Sequence, residues 1–529
     1  MRPSFGIVLA AVLALCGCAA PSSAEPSPPG QVVNTTAGEI SGTVDRGVRA
    51  FLGVPYAAPP VDALRWRPPQ PAARWDGVRA AGEYGPSCVQ SPPEPFGPYT
   101  SEFLAEAPFS EDCLYLNVWT PQAASDRPVL VWLHGGAFNS GSGAVPIYNG
   151  ATLADKGAVV ITVNYRLGAF GFLAHPDLSR ESPDNVSGNY GLLDMITALK
   201  WVHDNAAQFG GDPNNVTIAG QSAGAAAVND LLVSPLAAGL FQRAIAQSGS
   251  GMGIPVPPLA TAEQGGVDLA DRVRATGIDA LRLVPAEELI TATTTDIDLT
   301  EGTEMPQYVP VADGHVLPTS AADPTVSSGA DVPLLTGYAA DEVLPSGDAT
   351  TPSSFEAGVR KRYGTSAGRI LSLYPHADNV TAGESQSTLA RDRYMASLLL
   401  WASARSQQTT QPTFLYLFDH PYPIPESSTY KAFHTSDVPY SLGSLTAPDR
   451  KFTDADRQLS ELMQGAWLSF MATGDPANRS GLPWRPYETG VNEVMRLGEH
   501  PGPLPGVSSD DRLQALREFV QDGGQLSLF

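Results

Sequence analysis

Short apolar runs recur along the chain and predict strands that are buried in a sheet. Val129–Leu133 is the strongest because every one of its residues is apolar. Alternating apolar and polar residues predict a hairpin over Val32–Val44, whereas the proline-rich Phe51–Pro60 is predicted to be mostly irregular. The remaining predicted strands are rich in Val, Ile, Leu or Phe: Leu114–Trp119, Ala158–Val163, Val216–Ala219, Leu334–Gly337 and Phe414–Phe418, the last clear strand.

Helical periodicity fills much of the chain between these runs. Leu192–Phe209 places apolar residues on one broad face, and Asp454–Thr473 is amphipathic and ends at Gly474. Residues 251–333 are predicted to be helix and loop, and residues 345–410 to be helical. Strands that alternate with helices indicate an α/β fold with a doubly wound, mainly parallel sheet and helices on both faces. The helical insertions are candidates for a cap over an active site.

The composition is that of a chain with a large buried core, because 43% of residues are hydrophobic and only 16% are charged. We therefore predict one long folded unit over residues 31–529. The net charge of −23 arises from 55 acidic and 32 basic residues. Such an excess of acid repels phosphate and argues against nucleic-acid binding and against a polybasic membrane patch.

The N-terminus is typical of an export signal: Arg2 supplies the charge, and Phe5–Leu15 is an apolar core too short for a stable membrane anchor. The following Leu-Cys-Gly-Cys-Ala stretch resembles a bacterial lipobox with Cys18 as the lipidated residue; Cys16 fits less well because Leu15 precedes it. We therefore predict a signal peptide over 1–18, a flexible tether over 19–30 and a lipoprotein anchored at the cell surface. Ordinary secretion is the alternative.

Two further cysteines, Cys88 and Cys113, remain after the N-terminal pair. In an exported protein an even pair predicts a disulfide, here closing a loop between the two positions. Two buried free thiols are the alternative.

The stretch Gly220-Gln-Ser-Ala-Gly224 joins the predicted strand Val216–Ala219 to a predicted helix that begins near Ala225. G-x-S-x-G in this setting is typical of a nucleophile elbow, a tight turn that exposes a serine hydroxyl above a helix N-terminus. The pattern predicts that Ser222 is a nucleophile. The alternative is a glycine-rich turn that contains a serine by chance.

A serine hydroxyl needs a base, usually a histidine that a carboxylate orients. The α/β-hydrolase order of serine, acid and histidine leaves four histidines beyond residue 342: His376, His420, His434 and His500. His434, in a polar loop after the last predicted strand, has the best setting. His420 ranks second, because its place in Asp419-His-Pro is equally typical of a residue that simply ends the strand.

The candidate acids are Asp341 and Glu342, which directly follow the predicted strand Leu334–Gly337. Asp313 is a rival, although Asp-Gly first indicates a turn, and Asp437 lies close to His434 in sequence. Upstream, His134-Gly-Gly-Ala-Phe138 follows a buried strand, as a glycine-rich oxyanion loop does. Its backbone N–H groups and that of Ala223 are predicted to meet the oxyanion.

A set of longer motifs resembles the type-B carboxylesterase/lipase family, which includes cholinesterases and bacterial p-nitrobenzyl esterases. These motifs extend from Phe51 to Tyr487: Phe51-Leu-Gly-Val-Pro-Tyr-Ala, Glu111-Asp-Cys-Leu-Tyr-Leu-Asn117, His134-Gly-Gly-Ala-Phe138, Asn164-Tyr-Arg-Leu-Gly168, Gly188-Asn-Tyr-Gly-Leu-Leu-Asp194, Phe209-Gly-Gly-Asp-Pro213, Gly220-Gln-Ser-Ala-Gly-Ala225, Gln247-Ser-Gly249 and Gly474-Asp-Pro476.

The resemblance implies an α/β-hydrolase fold and a role for each matching residue. Ser222 resembles the nucleophile, Glu342 the acid and His434 the base, and Ser248 resembles a serine that hydrogen-bonds within the triad. The remaining matches are the oxyanion-hole residues Gly135, Gly136 and Ala223, the disulfide Cys88–Cys113 and a structural ion pair, Arg65 and Glu111.

The resemblance also implies hydrolysis of a small-molecule ester through an acyl-enzyme, without a metal or cofactor. Two departures bear on this: Val343 replaces the glycine that usually follows the acid, and Phe103 stands where cholinesterases place a cation-binding tryptophan. Choline specificity is therefore not expected. The alternatives are a lipase acting on insoluble lipid and a non-catalytic, neuroligin-like binding protein.

Overall fold

The computed structural model describes residues 32–252, 256–294, 307–318, 330–345 and 349–526. The strands of the described chain lie within residues 32–247 and 334–504. They are β1 (Val32–Asn34), β2 (Glu39–Ser41), β3 (Thr43–Asp45), β4 (Val48–Pro55), β5 (Val78–Ala80), β6 (Ser87–Cys88), β7 (Phe109–Ser110), β8 (Tyr115–Pro121), β9 (Arg127–Leu133), β10 (Val159–Val163), β11 (Gly211–Gln221), β12 (Arg243–Gln247), β13 (Leu334–Ala339), β14 (Thr413–Phe418), β15 (Val494–Leu497) and β16 (Gly502–Leu504).

The α-helices of the described chain all follow β9. They are α1 (Ala151–Asp155), α2 (Gly168–Phe172), α3 (Pro176–Glu181), α4 (Tyr190–Asn205), α5 (Ala223–Val233), α6 (Leu259–Arg272), α7 (Ile278–Arg282), α8 (Ala286–Thr293), α9 (Pro352–Tyr363), α10 (Ala367–Leu373), α11 (Asn379–Ser406), α12 (Ser427–Tyr430), α13 (Val438–Leu442), α14 (Asp454–Thr473), α15 (Ala477–Ser480) and α16 (Asp510–Gln521).

One large mixed sheet organises the described chain, with the strand order β16-β15-β14-β13-β12-β11-β9-β10-β8-β4-β3. The strands from β15 to β10 in this order all pair in parallel, and the strands at the two edges pair antiparallel. In the middle, Val131 of β9 lies between Ile161 of β10 and Ile218 of β11. Parallel strands end at the same edge of the sheet, so their carboxyl ends converge.

Complete burial of three strands shows that helices or loops cover both faces of the sheet. Every residue of β10, β13 and β14 is buried. Because successive side chains of a strand point to opposite faces, a strand that is buried throughout must be covered on both sides. The predicted α/β-hydrolase fold, with a mainly parallel sheet and helices on both faces, is confirmed.

Most predicted elements are found near their predicted positions. The hairpin pairs β1 with β2, although Val44 belongs to β3 of the large sheet. The helix predicted over Leu192–Phe209 is α4 followed by a 3₁₀ turn, and α14 ends with Gly474 in the left-handed conformation, φ 81°. Segments predicted to be helical contain α6 to α8 and α9 to α11.

Two predictions about strands need correction. Phe51–Pro60 is irregular only beyond Pro55, because Phe51 to Pro55 belong to β4, whose single proline is its last residue. Phe414–Phe418 is not the last strand, because β15 and the edge strand β16 follow it. Both strands are short, so their apolar pattern is brief.

A disulfide joins Cys88 to Cys113, as predicted, and closes a loop between two cysteines with a sequence separation of 25. The predicted ion pair beside it is also present: Arg65 donates to both carboxylate oxygens of Glu111, at 2.7 and 2.5 Å. Arg65 also donates to the carbonyls of Arg282 and Val284, which ties this corner to the start of the helical insertion.

The predicted signal peptide, tether and lipidation site, Cys18, lie outside the described residues and stay predictions. In the ranges that the structure does describe, the helices lack the combined length and apolar character needed to cross a bilayer.

Candidate active site

Five neighbouring parallel strands each deliver a predicted functional segment at their carboxyl ends. In sheet order, β14 leads toward His434, β13 toward Glu342, β12 to Ser248, β11 to Ser222 and β9 to the glycine loop at Gly135. Residues far apart in the chain therefore meet at one edge of the sheet.

Ser222 occupies a strained turn between β11 and α5. Its backbone has φ 57° and ψ −125°, and its N–H donates to the carbonyl of Gln247 at 2.9 Å. A positive φ is uncommon for a residue with a side chain and persists only when the surroundings impose it. The side chain stays partly exposed, as a nucleophile must.

The glycines on either side of Ser222 are required by close packing. A Cβ on Gly220 would lie 2.5 Å from the carbonyl of Gly224, and a Cβ on Gly224 would lie 2.0 Å from the carbonyl oxygen of Leu133. Any larger residue would force β9, β11 and α5 apart, so the turn needs glycine at both positions.

Glu342 lies fully buried just beyond β13, and its carboxylate is held from several directions. Oε1 accepts hydrogen bonds from the Ser248 hydroxyl at 2.6 Å and from the Ala339 N–H at 2.7 Å. Oε2 contacts Nδ1 of His434. A buried carboxylate is tolerated only with such partners, and this set leaves it aimed at the imidazole.

His434 lies in the loop after β14, which pairs with the loop after β13. The N–H of Asp341 donates to the Ala432 carbonyl at 3.0 Å, and Asp341 forms a bridge with Phe433. With its proton on Nδ1 toward Glu342, the imidazole presents Nε2 as an acceptor, and Nε2 lies 3.0 Å from the side-chain nitrogen of Gln221.

The glycine loop after β9 is held by His134, which stacks on Tyr165 with ring centroids 4.3 Å apart. Nδ1 of His134 lies 2.8 Å from the Gly135 carbonyl, and the Tyr165 hydroxyl donates to the His134 carbonyl at 2.6 Å. Burial lowers the pKa of His134 to about 4, so this imidazole is neutral near pH 7. The loop is thereby fixed beside Ser222.

Ser222, His434, Gly135, Gly136 and Ala223 all line one cavity. The cavity encloses about 1030 Å³, including its open mouth. Its other walls are mainly apolar and aromatic, and several come from the Cys88–Cys113 loop: Phe96, Tyr99, Phe103, Leu104 and Ala105. Among the described lining residues none is Asp, Glu, Lys or Arg.

The other candidate histidines have partners elsewhere. His376 lies 2.6 Å from the Tyr374 carbonyl, His420 lies 2.9 Å from a carboxylate oxygen of Asp456, and His500 is exposed in the turn between β15 and β16. None of them lines the cavity.

The rival acids also have other tasks. One oxygen of Asp313 accepts the N–H groups of the turn that follows it, each at 2.9 Å. Asp341 faces the Ala432 N–H at 3.4 Å and Lys431 at 3.9 Å. Asp437 accepts hydrogen bonds from Gln247 and Tyr416 rather than from an imidazole.

Sequence reasoning assigned no role to Gln221 or Tyr99, which both contact His434. Gln221 directly precedes Ser222 in the G-x-S-x-G motif, and this position was the signal from which a place in the site could have been predicted. Tyr99 carried no signal, because its contact with His434 arises only through tertiary packing. In the described part of the chain, no cluster of His, Cys, Asp and Glu is arranged to hold a metal ion.

Comparisons with known proteins match the chain to one family and to solved structures. The model of the Carboxylesterase family matches residues 29–515. The fumonisin B1 esterase of Sphingopyxis macrogoltabida is 36% identical over 505 residues, which cover 92% of this chain and 90% of that protein. The para-nitrobenzyl esterase of Bacillus subtilis (strain 168) is 36% identical over 492 residues, covering 88% and 94%. A solved PNB esterase structure has a TM-score of 0.77 at 33% identity, covering 92% of this chain and 99% of that one.

Asp437 yields a prediction about stability and pH. Its carboxylate is fully buried, Oδ1 has no hydrogen-bond partner, and burial raises its pKa from 3.8 to about 6. When the pKa of an acid is higher in the folded than in the unfolded chain, the folded protein loses stability as the pH rises from 3.8 through 6. The full penalty of about 3 kcal/mol applies above that range. Asp437→Asn cannot ionise and avoids this penalty.

We therefore expect the melting temperature of Asp437→Asn, relative to the unchanged chain, to rise between pH 4 and pH 7. Thermal unfolding followed by circular dichroism at both pH values measures the difference. A difference that stays constant or shrinks across this range contradicts the assignment of a raised pKa to Asp437.

Proposed function

The chain belongs to the carboxylesterase family and is an ester hydrolase, and from that premise we propose that it acts through an acyl-enzyme on Ser222. In the first step His434 takes the proton of the Ser222 hydroxyl at Nε2, and the serine oxygen attacks the ester carbonyl. Glu342 holds the imidazole through Nδ1 and stabilises the imidazolium that forms.

The N–H groups of Gly135, Gly136 and Ala223 are proposed to stabilise the tetrahedral intermediate. All three residues line the cavity beside Ser222, and Ala223 begins α5, where the helix dipole favours negative charge. One such donor typically accelerates the reaction by about 10²–10³. When the intermediate collapses, the alcohol leaves with the proton from His434.

The second step repeats this chemistry with water. His434 removes a proton from water, the hydroxide attacks the acyl-enzyme carbonyl, and Ser222 leaves with the proton returned by the imidazole. Neither step draws on a metal or a cofactor.

One observation carries the proposal. The hydrogen-bonded series from Ser248 through Glu342 to His434 ends at the cavity that also exposes the strained Ser222. These groups come from separate strands, and a purely structural carboxylate would not need to orient an imidazole toward an open cavity.

The cavity walls define the class of ester that we propose. Because no described lining residue is Asp, Glu, Lys or Arg, a charged substrate group would be desolvated without an oppositely charged side chain beside it. Phe96, Tyr99 and Phe103 offer aromatic surface instead. Relatives named para-nitrobenzyl esterase support an uncharged ester with an aromatic group.

We expect Ser222→Ala to lower kcat for p-nitrophenyl acetate by about 10⁴-fold or more, because the nucleophile is lost. Glu342→Gln should lower kcat on the order of 10³–10⁴-fold, because the imidazole loses its charged partner. Ser234→Ala is the matched control, since Ser234 is buried at the other end of α5 and its hydroxyl donates to the Val316 carbonyl at 2.6 Å. Hydrolysis at the unchanged rate by Ser222→Ala would disprove the proposal.

The proposed substrate class is tested by two esters with the same leaving group. We expect kcat/KM for p-nitrophenyl butyrate to exceed that for mono-p-nitrophenyl succinate by about 100-fold, because only the succinate brings an unpaired carboxylate into the apolar cavity. Steady-state kinetics at pH 7.5 measure both values. Equal values for the two esters contradict the proposed preference.

A further inference from the structure

Tyr99 lies in the Cys88–Cys113 loop but is bonded to the residue that bears the proposed base. Its hydroxyl donates to the backbone carbonyl of His434 at 2.7 Å, and both residues are buried. The bond joins two segments that are distant in sequence. The bond also gives the buried His434 carbonyl a hydrogen-bond donor, as buried carbonyls require.

The same tyrosine contacts the residues on both sides of His434. Its ring packs edge-on against Phe433, with centroids 5.5 Å apart, and the Thr435 side chain lies beside its hydroxyl. Thr435 has φ 84°, in the left-handed region that β-branched residues rarely adopt. A strained turn therefore follows His434 directly, and Tyr99 touches this turn at three consecutive residues.

We propose that Tyr99 is a positioning residue for the general base His434, an inference that rests on the proposed function. The imidazole contacts Glu342 at Nδ1 and Gln221 at Nε2, and the backbone sets the point from which the ring extends. Tyr99 fixes that backbone point by holding the carbonyl of His434 and the strained turn at Thr435. Without this bond the turn relaxes, and Nε2 moves away from the line of proton transfer.

The loop that carries Tyr99 is itself well anchored. Its Glu102 forms an ion pair with Arg450 at 2.7 Å, and both side chains are almost completely buried. Phe103 packs edge-on against Phe433, with ring centroids 5.5 Å apart. Tyr99 and Phe103 also line the cavity. The Cys88–Cys113 loop therefore forms part of the proposed substrate site and also holds the base in place.

The test is Tyr99→Phe, which keeps the ring and removes only the hydroxyl. We expect kcat for p-nitrophenyl acetate to fall about tenfold while KM stays within about twofold, because base alignment changes and ring packing does not. The rate at which a neutral organophosphonate labels Ser222 should fall by the same factor.

Tyr56→Phe is the matched control, because the buried Tyr56 hydroxyl donates to the Asn164 carbonyl at the same distance of 2.7 Å. We expect this variant to keep both kcat and KM. If Tyr99→Phe and Tyr56→Phe behave alike, or if Tyr99→Phe changes KM alone, the positioning role is wrong.

A second variant, Thr435→Gly, tests the strained turn and is measured alone and together with Tyr99→Phe. Glycine adopts a positive φ without strain, so a chain with Thr435→Gly should depend less on the hydrogen bond from Tyr99 to the His434 carbonyl. We expect Tyr99→Phe to reduce kcat by less than about threefold when Thr435→Gly is also present; an undiminished tenfold loss overturns the mechanism. Failure of the proposed function is distinguishable, because it would appear as activity retained in Ser222→Ala.

Discussion

The contact between Glu342 and His434 is the interaction on which the rest of the site depends. A carboxylate with no exposed surface is stable only when its oxygens are hydrogen-bonded, and here the donors are Ser248, the Ala339 N–H and the imidazole. Removing any one donor would leave a buried charge partly unpaired. The need to satisfy this carboxylate therefore fixes the relative positions of three strand ends.

The parallel sheet makes that arrangement possible. Consecutive strands β14, β13, β12, β11 and β9 end at one edge, and each contributes one functional segment there. Strands that are largely buried hold the backbone, while the proposed catalytic groups lie in the segments that follow them. The tight packing of Gly224 against Leu133 keeps the nucleophile turn at a fixed distance from the glycine loop.

Local sequence patterns predicted those parts of the molecule that local physics determines. Val129–Leu133 is apolar throughout because β9 is covered on both faces, and Gly220 and Gly224 are glycines because their neighbours leave no space for a Cβ. The short strand β15 was missed because its few apolar residues lie among charged and polar ones. β4 was missed because prolines at its end and beyond it concealed a strand.

Position in the sequence favoured His434 over His420 but did not exclude His420, since both follow β14. The structure separates them because His420 faces Asp456, whereas the loop of His434 pairs with the loop of Glu342. Tyr99 was beyond sequence reasoning for the same reason: its bond to His434 depends on how a disulfide-closed loop packs against a segment hundreds of residues later. Contacts of this kind arise from tertiary structure alone.

The central claim is that catalysis passes through a covalent acyl group on Ser222. The most direct measurement is to mix the enzyme with excess p-nitrophenyl butyrate, stop the reaction in acid during turnover and map the modified peptide by mass spectrometry. The account predicts a butyryl group on Ser222, with none on Ser222→Ala. An acyl group on another residue would contradict this claim. So would turnover without any covalent intermediate under conditions in which deacylation limits the rate.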